Sequence, residues 1–237
     1  EAPDASVGWE YLTEHEGRLF GAGRDGRTIF ALEASSGRQI WCRPLDGGAF
    51  VPALSEGMLI AANSRGDVMA FDADDGERVW LAEGAAPRGR TCVHAAPGRV
   101  LVVGEEGGVS ALESRSGRPL WSRKVPGAFA SGAAIGGETA YLLGGTLALN
   151  LSDGRTSWER ALGEGRGCSP PALAGRRVLA AAGEEFGSLE MVAPGGRVIG
   201  SLSGAARRAC DGPIVSDGTI YTVGGGRVRA LVSRTQG

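Results

Sequence analysis

The sequence predicts an all-β fold, a β-propeller of about six four-stranded blades, as a single domain over residues 1–237. Three observations carry this. A strand–turn–strand unit ending in tryptophan recurs about every 40 residues, the spacing of propeller blades. Glycine is the outlier of the composition, 41 residues with no collagen period, which points to many tight turns between short elements. Glycine and aspartate also interrupt every apolar stretch too soon for a helix.

The units follow in order. GRTIFALEASSGRQIW ends at Trp41, GDVMAFDADDGERVW at Trp80, GGVSALESRSGRPLW at Trp121 and GTLALNLSDGRTSW at Trp158, at spacings of 39, 41 and 37 residues. A fifth copy, GSLEMVAPGGRVIG, carries Gly200 where tryptophan is due, and a sixth, GRVRALVSRTQG, reaches Gly237 as its turn begins. The repeats span approximately 9–43, 49–82, 91–123, 130–160, 168–202 and 210–237.

Within the second repeat, VPALS, MLIAAN, DVMAFDA and ERVWLA read as strands A to D, separated by Glu56–Gly57, Arg65–Gly66 and the Asp74–Gly76 turn. Strand C alternates, with Val68, Ala70 and Asp72 on one face and Met69, Phe71 and Ala73 on the other. In the first repeat, WEYLTE is strand A, RLFGAG strand B and residues 27–33 strand C, so Trp9 stands outside the tryptophan repeat. The sixth repeat runs out after PIVS, TIYTVG and RVRALVS. An open sheet edge invites aggregation, so part of Ala2–Gly8 is expected to pair with Arg227–Ser233 and complete the last blade. Trp41, Trp80, Trp121 and Trp158 are expected to be structural: a sheet buries both faces only by stacking, and an indole near the end of strand D fills the gap to its neighbour.

The pattern G-x-V/L-x-A-L/F-D/E-x-x-x-G-x-x-x-W resembles the PQQ-like repeat of quinoprotein-type propellers, which is also the repeat of the BamB outer-membrane assembly lipoproteins. The resemblance covers nearly the whole chain, with four clear copies and two degenerate ones. The Trp-Asp and Gly-His signatures of WD40 repeats are absent. The quinoprotein chemistry does not carry over. Those enzymes hold the quinone with adjacent cysteines and calcium with Glu, Asn and Asp. Here Cys42, Cys92, Cys168 and Cys210 are far apart, and Asn63 and Asn150, read as equivalent positions of different repeats, have no acidic partner near in sequence. The expectation is no catalytic, cofactor or metal site.

Other motifs agree. His15 and His94 are the only histidines and lie far apart. Gly21–Gly26 fits G-x-G-x-x-G but precedes a strand, so the helix terminus that would bind an anion is missing. Asn150-Leu151-Ser152 is a formal glycosylation sequon, meaningful only in a eukaryotic secretory pathway. The pairs Asp74–Asp75, Glu105–Glu106 and Glu184–Glu185 fall in turns without the alternating ligands of a calcium loop.

Net charge −2 and pI about 5.8 argue against a nucleic-acid partner. The chain begins at Glu1 with EAPDAS, as an exported protein with a processed, tethered N-terminus would. The loops from strand D to the next strand A are the long ones, and in propellers they share one face with the B–C turns. They carry Arg43, Arg88, Arg90, Arg123, Lys124, Arg166, Arg207 and Arg208. Long loops on a rigid frame are where binding resides, and arginine pairs well with carboxylates. Arg88, Arg90, Arg166, Arg207 and Arg208 are therefore the expected partner-binding residues. Cys168 and Cys210 sit at matching points of neighbouring repeats, either bridged in an oxidising compartment or buried as free thiols. The resemblance implies a non-catalytic scaffold of the bacterial cell envelope, in the periplasm or at the outer membrane, monomeric by itself, with a protein partner. A subunit or sensor domain of another envelope complex is the alternative, and an oxidoreductase a third.

Overall fold

The computed structural model describes residues 12–23, 26–48, 51–125, 132–142, 146–160, 170–182, 188–202, 212–224 and 227–231. All regular structure among them is β, in six antiparallel sheets. Contacts divide the chain into two compact units, Glu1–Ala130 and Ser131–Gly237, each with three sheets.

In the first unit, sheet one is β1 (Leu12–His15), β2 (Arg18–Ala22), β3 (Thr28–Glu33) and β4 (Gln39–Pro44). Sheet two is β5 (Ala53–Ser55), β6 (Met58–Ala62), β7 (Val68–Asp72) and β8 (Arg78–Ala82). Sheet three is β9 (Thr91–Ala96), β10 (Arg99–Gly104), β11 (Gly108–Glu113) and β12 (Pro119–Lys124). In the second unit, sheet four is β13 (Ala134–Gly136), β14 (Thr139–Leu142), β15 (Leu147–Asn150) and β16 (Thr156–Glu159). Sheet five is β17 (Ala172–Ala174), β18 (Arg177–Ala182), β19 (Ser188–Val192) and β20 (Val198–Leu202). Sheet six is β21 (Ile214–Ser216), β22 (Thr219–Gly224) and β23 (Arg227–Leu231). Each sheet is a meander in chain order, the arrangement of a propeller blade. The segment Ala2–Gly8, expected to complete the sixth sheet, lies outside the described residues.

The strands alternate as their sequence requires, and in inner strands such as β6 and β7 both faces are buried. Met69, Phe71 and Ala73 pack with Phe20, Ile29 and Trp41 of sheet one. Val68 and Ala70, on the other face, pack with Val93, Val100 and Val102 of sheet three. The stacking of sheets thus makes the core: each of these clusters draws on two adjacent sheets.

The fourth strands do not end at tryptophan, as the sequence reading had it: β4 runs on to Pro44 and β12 to Lys124. Each tryptophan lies opposite an alanine of the third strand, as Trp41–Ala31, Trp80–Ala70, Trp121–Ala111 and Trp158–Ala148. Just beyond that pair the register shifts by one residue, a β-bulge. The extra residues Ile40 and Val79 are left exposed. The third-to-fourth turn is closed by a glycine in the left-handed region. The N–H of Gly76 (φ +72°) donates to Asp72 C=O, and that of Gly117 (φ +70°) to Glu113 C=O.

That glycine is where the indole of the preceding repeat lands. The Trp41 indole N–H donates to Ala73 C=O at 2.9 Å, and a Cβ on Gly76 would sit 2.6 Å from Trp41 Cδ2. Trp80 does the same to the following sheet, donating to Ser114 C=O at 3.0 Å over Gly117. Trp158 donates to Pro194 C=O at 2.6 Å over Gly196. Tryptophan in one repeat and glycine in the next are two halves of one contact.

Candidate functional site

The long loops after the fourth strands and the turns between second and third strands meet on one face of the first unit. Ser64 N–H, in the β6–β7 turn, donates to the carbonyls of Gly47 and Gly48 in the loop before β5. The loop between β8 and β9 lies across two such turns. Ala86 N–H donates to Gly66 C=O and Gly89 N–H to Ser64 C=O, both at 2.9 Å, while Glu105 N–H donates to Arg90 C=O at 3.0 Å. Gly84 N–H donates to Asp67 Oδ1 at 2.9 Å. The Asn63 amide first, and this backbone N–H second, hold the Asp67 carboxyl below the usual carboxylate range. Pro87 seats the middle of the loop on glycine: a Cβ on Gly104 would lie 2.6 Å from Pro87 Cβ, and one on Gly108 2.7 Å from Pro87 Cγ.

Between this loop and the third sheet is a cleft of about 720 Å³. Arg88, Arg123 and Lys124 line it, against Glu83 and Glu106. The hydroxyls of Ser110 and Ser122, 3.2 Å apart, lie between the charges. Three cations facing two carboxylates, with hydroxyl donors among them, suit the carboxylates of a partner chain. Among the described residues, no histidine or cysteine lines the cleft.

The expected partner-binding residues separate. Arg88 lines the cleft, and Arg90 stands two residues on, its N–H donating to Glu105 Oε1 at 3.3 Å. Arg166, Arg207 and Arg208 lie outside the described residues, as do Cys168 and Cys210. Arg43 is committed elsewhere: its Nε donates to Gly76 C=O at 3.0 Å and its Nη2 to Asp75 C=O at 2.6 Å, bracing the turn under Trp41. Sequence reasoning missed Pro87, Ser110 and Ser122; the Pro-Arg-Gly run in the longest loop was the available signal.

The remaining candidates are structural. Asn63 has an acidic partner after all, with its Nδ2 donating to Asp67 Oδ2 at 3.0 Å and to Asp46 C=O at 2.8 Å. Its Oδ1 accepts from Arg65 and Asp67 N–H, so it ties the β6–β7 turn, whereas Asn150 ends β15, a different place in the repeat. The G-x-G-x-x-G stretch is the turn between β2 and β3, with Gly23 N–H donating to Thr28 C=O. His15 is exposed on β1 and His94 lies on β9, where burial pushes its pKa down to about 4. Cys42 is a free thiol, and burial raises the pKa of Cys92 to about 11, against the pull of Arg90. Among the described residues no three His, Cys, Asp or Glu side chains cluster as metal ligands would.

Six meandering sheets, with a tryptophan–glycine contact from the first to the second, the second to the third and the fourth to the fifth, and a polar cleft under the connecting loops of the first unit, define a PQQ-like-repeat β-propeller. The chain belongs to the family described as outer membrane protein assembly factor BamB, which matches residues 3–133 and 93–236. It is 27% identical over 200 residues to the outer membrane protein assembly factor BamB of Alkalilimnicola ehrlichii, covering 78% of this chain and 51% of that protein. It is also 27% identical over 131 residues to the serine/threonine-protein kinase AfsK of Streptomyces coelicolor, covering 53% of this chain and 16% of that one. The chain thus spans about half the BamB relative and a small part of the kinase. The crystal structure of BamB from Moraxella catarrhalis has the same fold, with a TM-score of 0.55 at 16% identity over 93% of this chain and 81% of that one.

Proposed function

We propose that this protein is a non-catalytic scaffold of the bacterial cell envelope that holds a protein partner for outer-membrane protein assembly, using the loop face that carries Arg88, Arg90, Arg123 and Lys124. The observation that carries the reading is the family match, which takes in every repeat of the chain. The chemistry of the cleft supports it: it offers cationic side chains and hydroxyl donors to a carboxylate-bearing chain. A preformed frame presents such loops with little ordering cost. On this reading the protein works at the periplasmic side of the outer membrane, and Arg166, Arg207 and Arg208, in the corresponding loops of the sequence, are proposed as further partner-binding residues.

The test is site-specific photo-crosslinking in the native envelope. A benzophenone side chain at Arg88 is expected to capture a discrete protein adduct, and one at Asp75, in a turn at the other end of the second sheet, is not. Replacing Arg88, Arg90, Arg166, Arg207 and Arg208 together by Ala is expected to cut capture while each change costs under about 0.5 kcal/mol of stability. Capture from Asp75 alone, or undiminished capture by the five-residue variant, rejects this face.

The likeness to part of AfsK favours a second reading, a sensor domain of a larger protein. Adducts with outer-membrane assembly components support the first reading, and adducts with a kinase or another membrane receptor the second.

A further inference from the structure

We propose that the gap between the fifth and sixth sheets is a second docking site, for a partner segment that inserts an aromatic side chain with a carboxylate beside it. It lies in the second unit and does not rest on the loop-face reading.

The register defines what is missing. Gly200 faces Met191, with the bulge just beyond it between Met191 and Val192, as Trp41, Trp80 and Trp158 face Ala31, Ala70 and Ala148. Nothing in the backbone demands glycine there: Gly200 is outside the positive-φ set, and an added Cβ would meet no atom within 4 Å. Where the gaps behind Trp41, Trp80 and Trp158 hold an indole, this one has a cleft of about 600 Å³ beside Leu179 and Leu189, which pack on Val215, Ile220 and Leu231, with Met191 and Leu202 also in its lining.

Two changes fit the empty gap to a guest. The alanine opposite tryptophan has become Met191, a flexible, polarizable side chain suited to a surface that receives aromatic rings. Leu202, two residues beyond Gly200 along β20, is left exposed in the lining. The sister gaps state the size and chemistry of the guest, an indole lying flat between two sheets.

Charge adds the second requirement. Arg177 is the only charged residue among the described residues of the lining, and it is exposed. Its Nη1 lies 3.9 Å from Met191 Sδ, and among the described residues it pairs with no carboxylate. A guanidinium at the mouth of an apolar slot complements an acidic residue next to the inserted ring.

The experiment titrates the ¹⁵N-labelled 237-residue chain with the blocked peptide acetyl-Gly-Trp-Asp-Gly-amide and follows amide shifts. Shifts at Gly200, Ser201, Leu202 and Ile220 are expected, with binding at least tenfold weaker for the peptide with Ala in place of Trp. Arg177→Gln is expected to remove the preference for Asp over Asn in the peptide. Gly200→Trp supplies the missing ring from within, so it should raise the thermal midpoint and weaken peptide binding at least tenfold; Gly200→Leu is the smaller filler if the first variant does not fold. Shifts confined to other sheets, or binding that neither filler reduces, overturn the proposal. So does a slot that opens to peptide only when residues 232–237 are removed, or that is covered by a second copy in sedimentation.

Discussion

The gap between the first and second sheets and the gap between the fifth and sixth are built on one repeat and finished differently. In the first, Trp41 is 4% exposed, donates to Ala73 C=O and stacks at a tilt on Phe20, ring centroids 6.2 Å apart. Arg18 and Arg43 add hydrogen bonds to the same turn. In the last, Gly200 leaves the slot open and most of β20 exposed. Yet β19 and β20 keep the same pairing and the same bulge. The indole therefore does not set the register within a sheet. Turn chemistry and strand alternation do that, and the indole closes one sheet onto the next.

The comparison breaks if tryptophan is dispensable in the closed gap. Trp41→Gly recreates the fifth repeat there, and the loss of a buried indole with its hydrogen bond is expected to cost about 3–5 kcal/mol, read from the denaturant midpoint. Trp158→Gly should cost less, because Trp158 is only partly buried. Equal losses at the two sites would detach burial from the contact.

Acid sharpens the contrast between the units, because His94 belongs to the first and no histidine lies in residues 131–237. The folded pKa of His94, about 4, lies below its ordinary 6.5, so between these values the unfolded chain takes up a proton that the folded one refuses. Its contribution is therefore full above pH 6.5 and lost as pH falls toward 4, on the order of 3 kcal/mol. Unfolding of the wild type is expected to show this slope over that window, and His94→Gln to flatten it.

The smallest effect concerns the charged brace of the closed gap. Arg18 Nη1 reaches Asp74 Oδ1 at 2.5 Å, with Asp74 81% exposed. Solvent screens such a pair, so Arg18→Ala should cost under about 1 kcal/mol and lose its effect at high salt.

Much of this was legible in the sequence, for local reasons. Glu56–Gly57 and the Asp74–Gly76 turn punctuate the second repeat, and the strands observed there start and end within two residues of the reading. What was hidden lies between repeats. Trp41 and Gly76 are 35 residues apart, and each has a local explanation, bulk for one and turn geometry for the other, that conceals their contact. The bulge beyond each tryptophan leaves no local composition signal. At the cleft, loop membership was readable but direction was not: Arg43 and Arg88 look alike in sequence, yet one turns back to brace Gly76 and the other faces the cleft. Pro87 is placed by Gly104 and Gly108, which the chain reaches only after passing through β9 and β10.

The central claim is that tryptophan in one repeat and glycine in the next form one contact, and a pair of alanine substitutions tests it most directly. Gly37 and Gly117 close equivalent turns with the same φ of +70°. A Cβ at Gly37 meets nothing within 4 Å, whereas one at Gly117 falls 2.4 Å from Trp80 Cε3. Gly37→Ala should therefore cost only the left-handed backbone, about 1 kcal/mol, in equilibrium unfolding. Gly117→Ala should lose that and a further 1–3 kcal/mol or so as the ring is forced off its seat. Equal losses for the two variants would contradict the account.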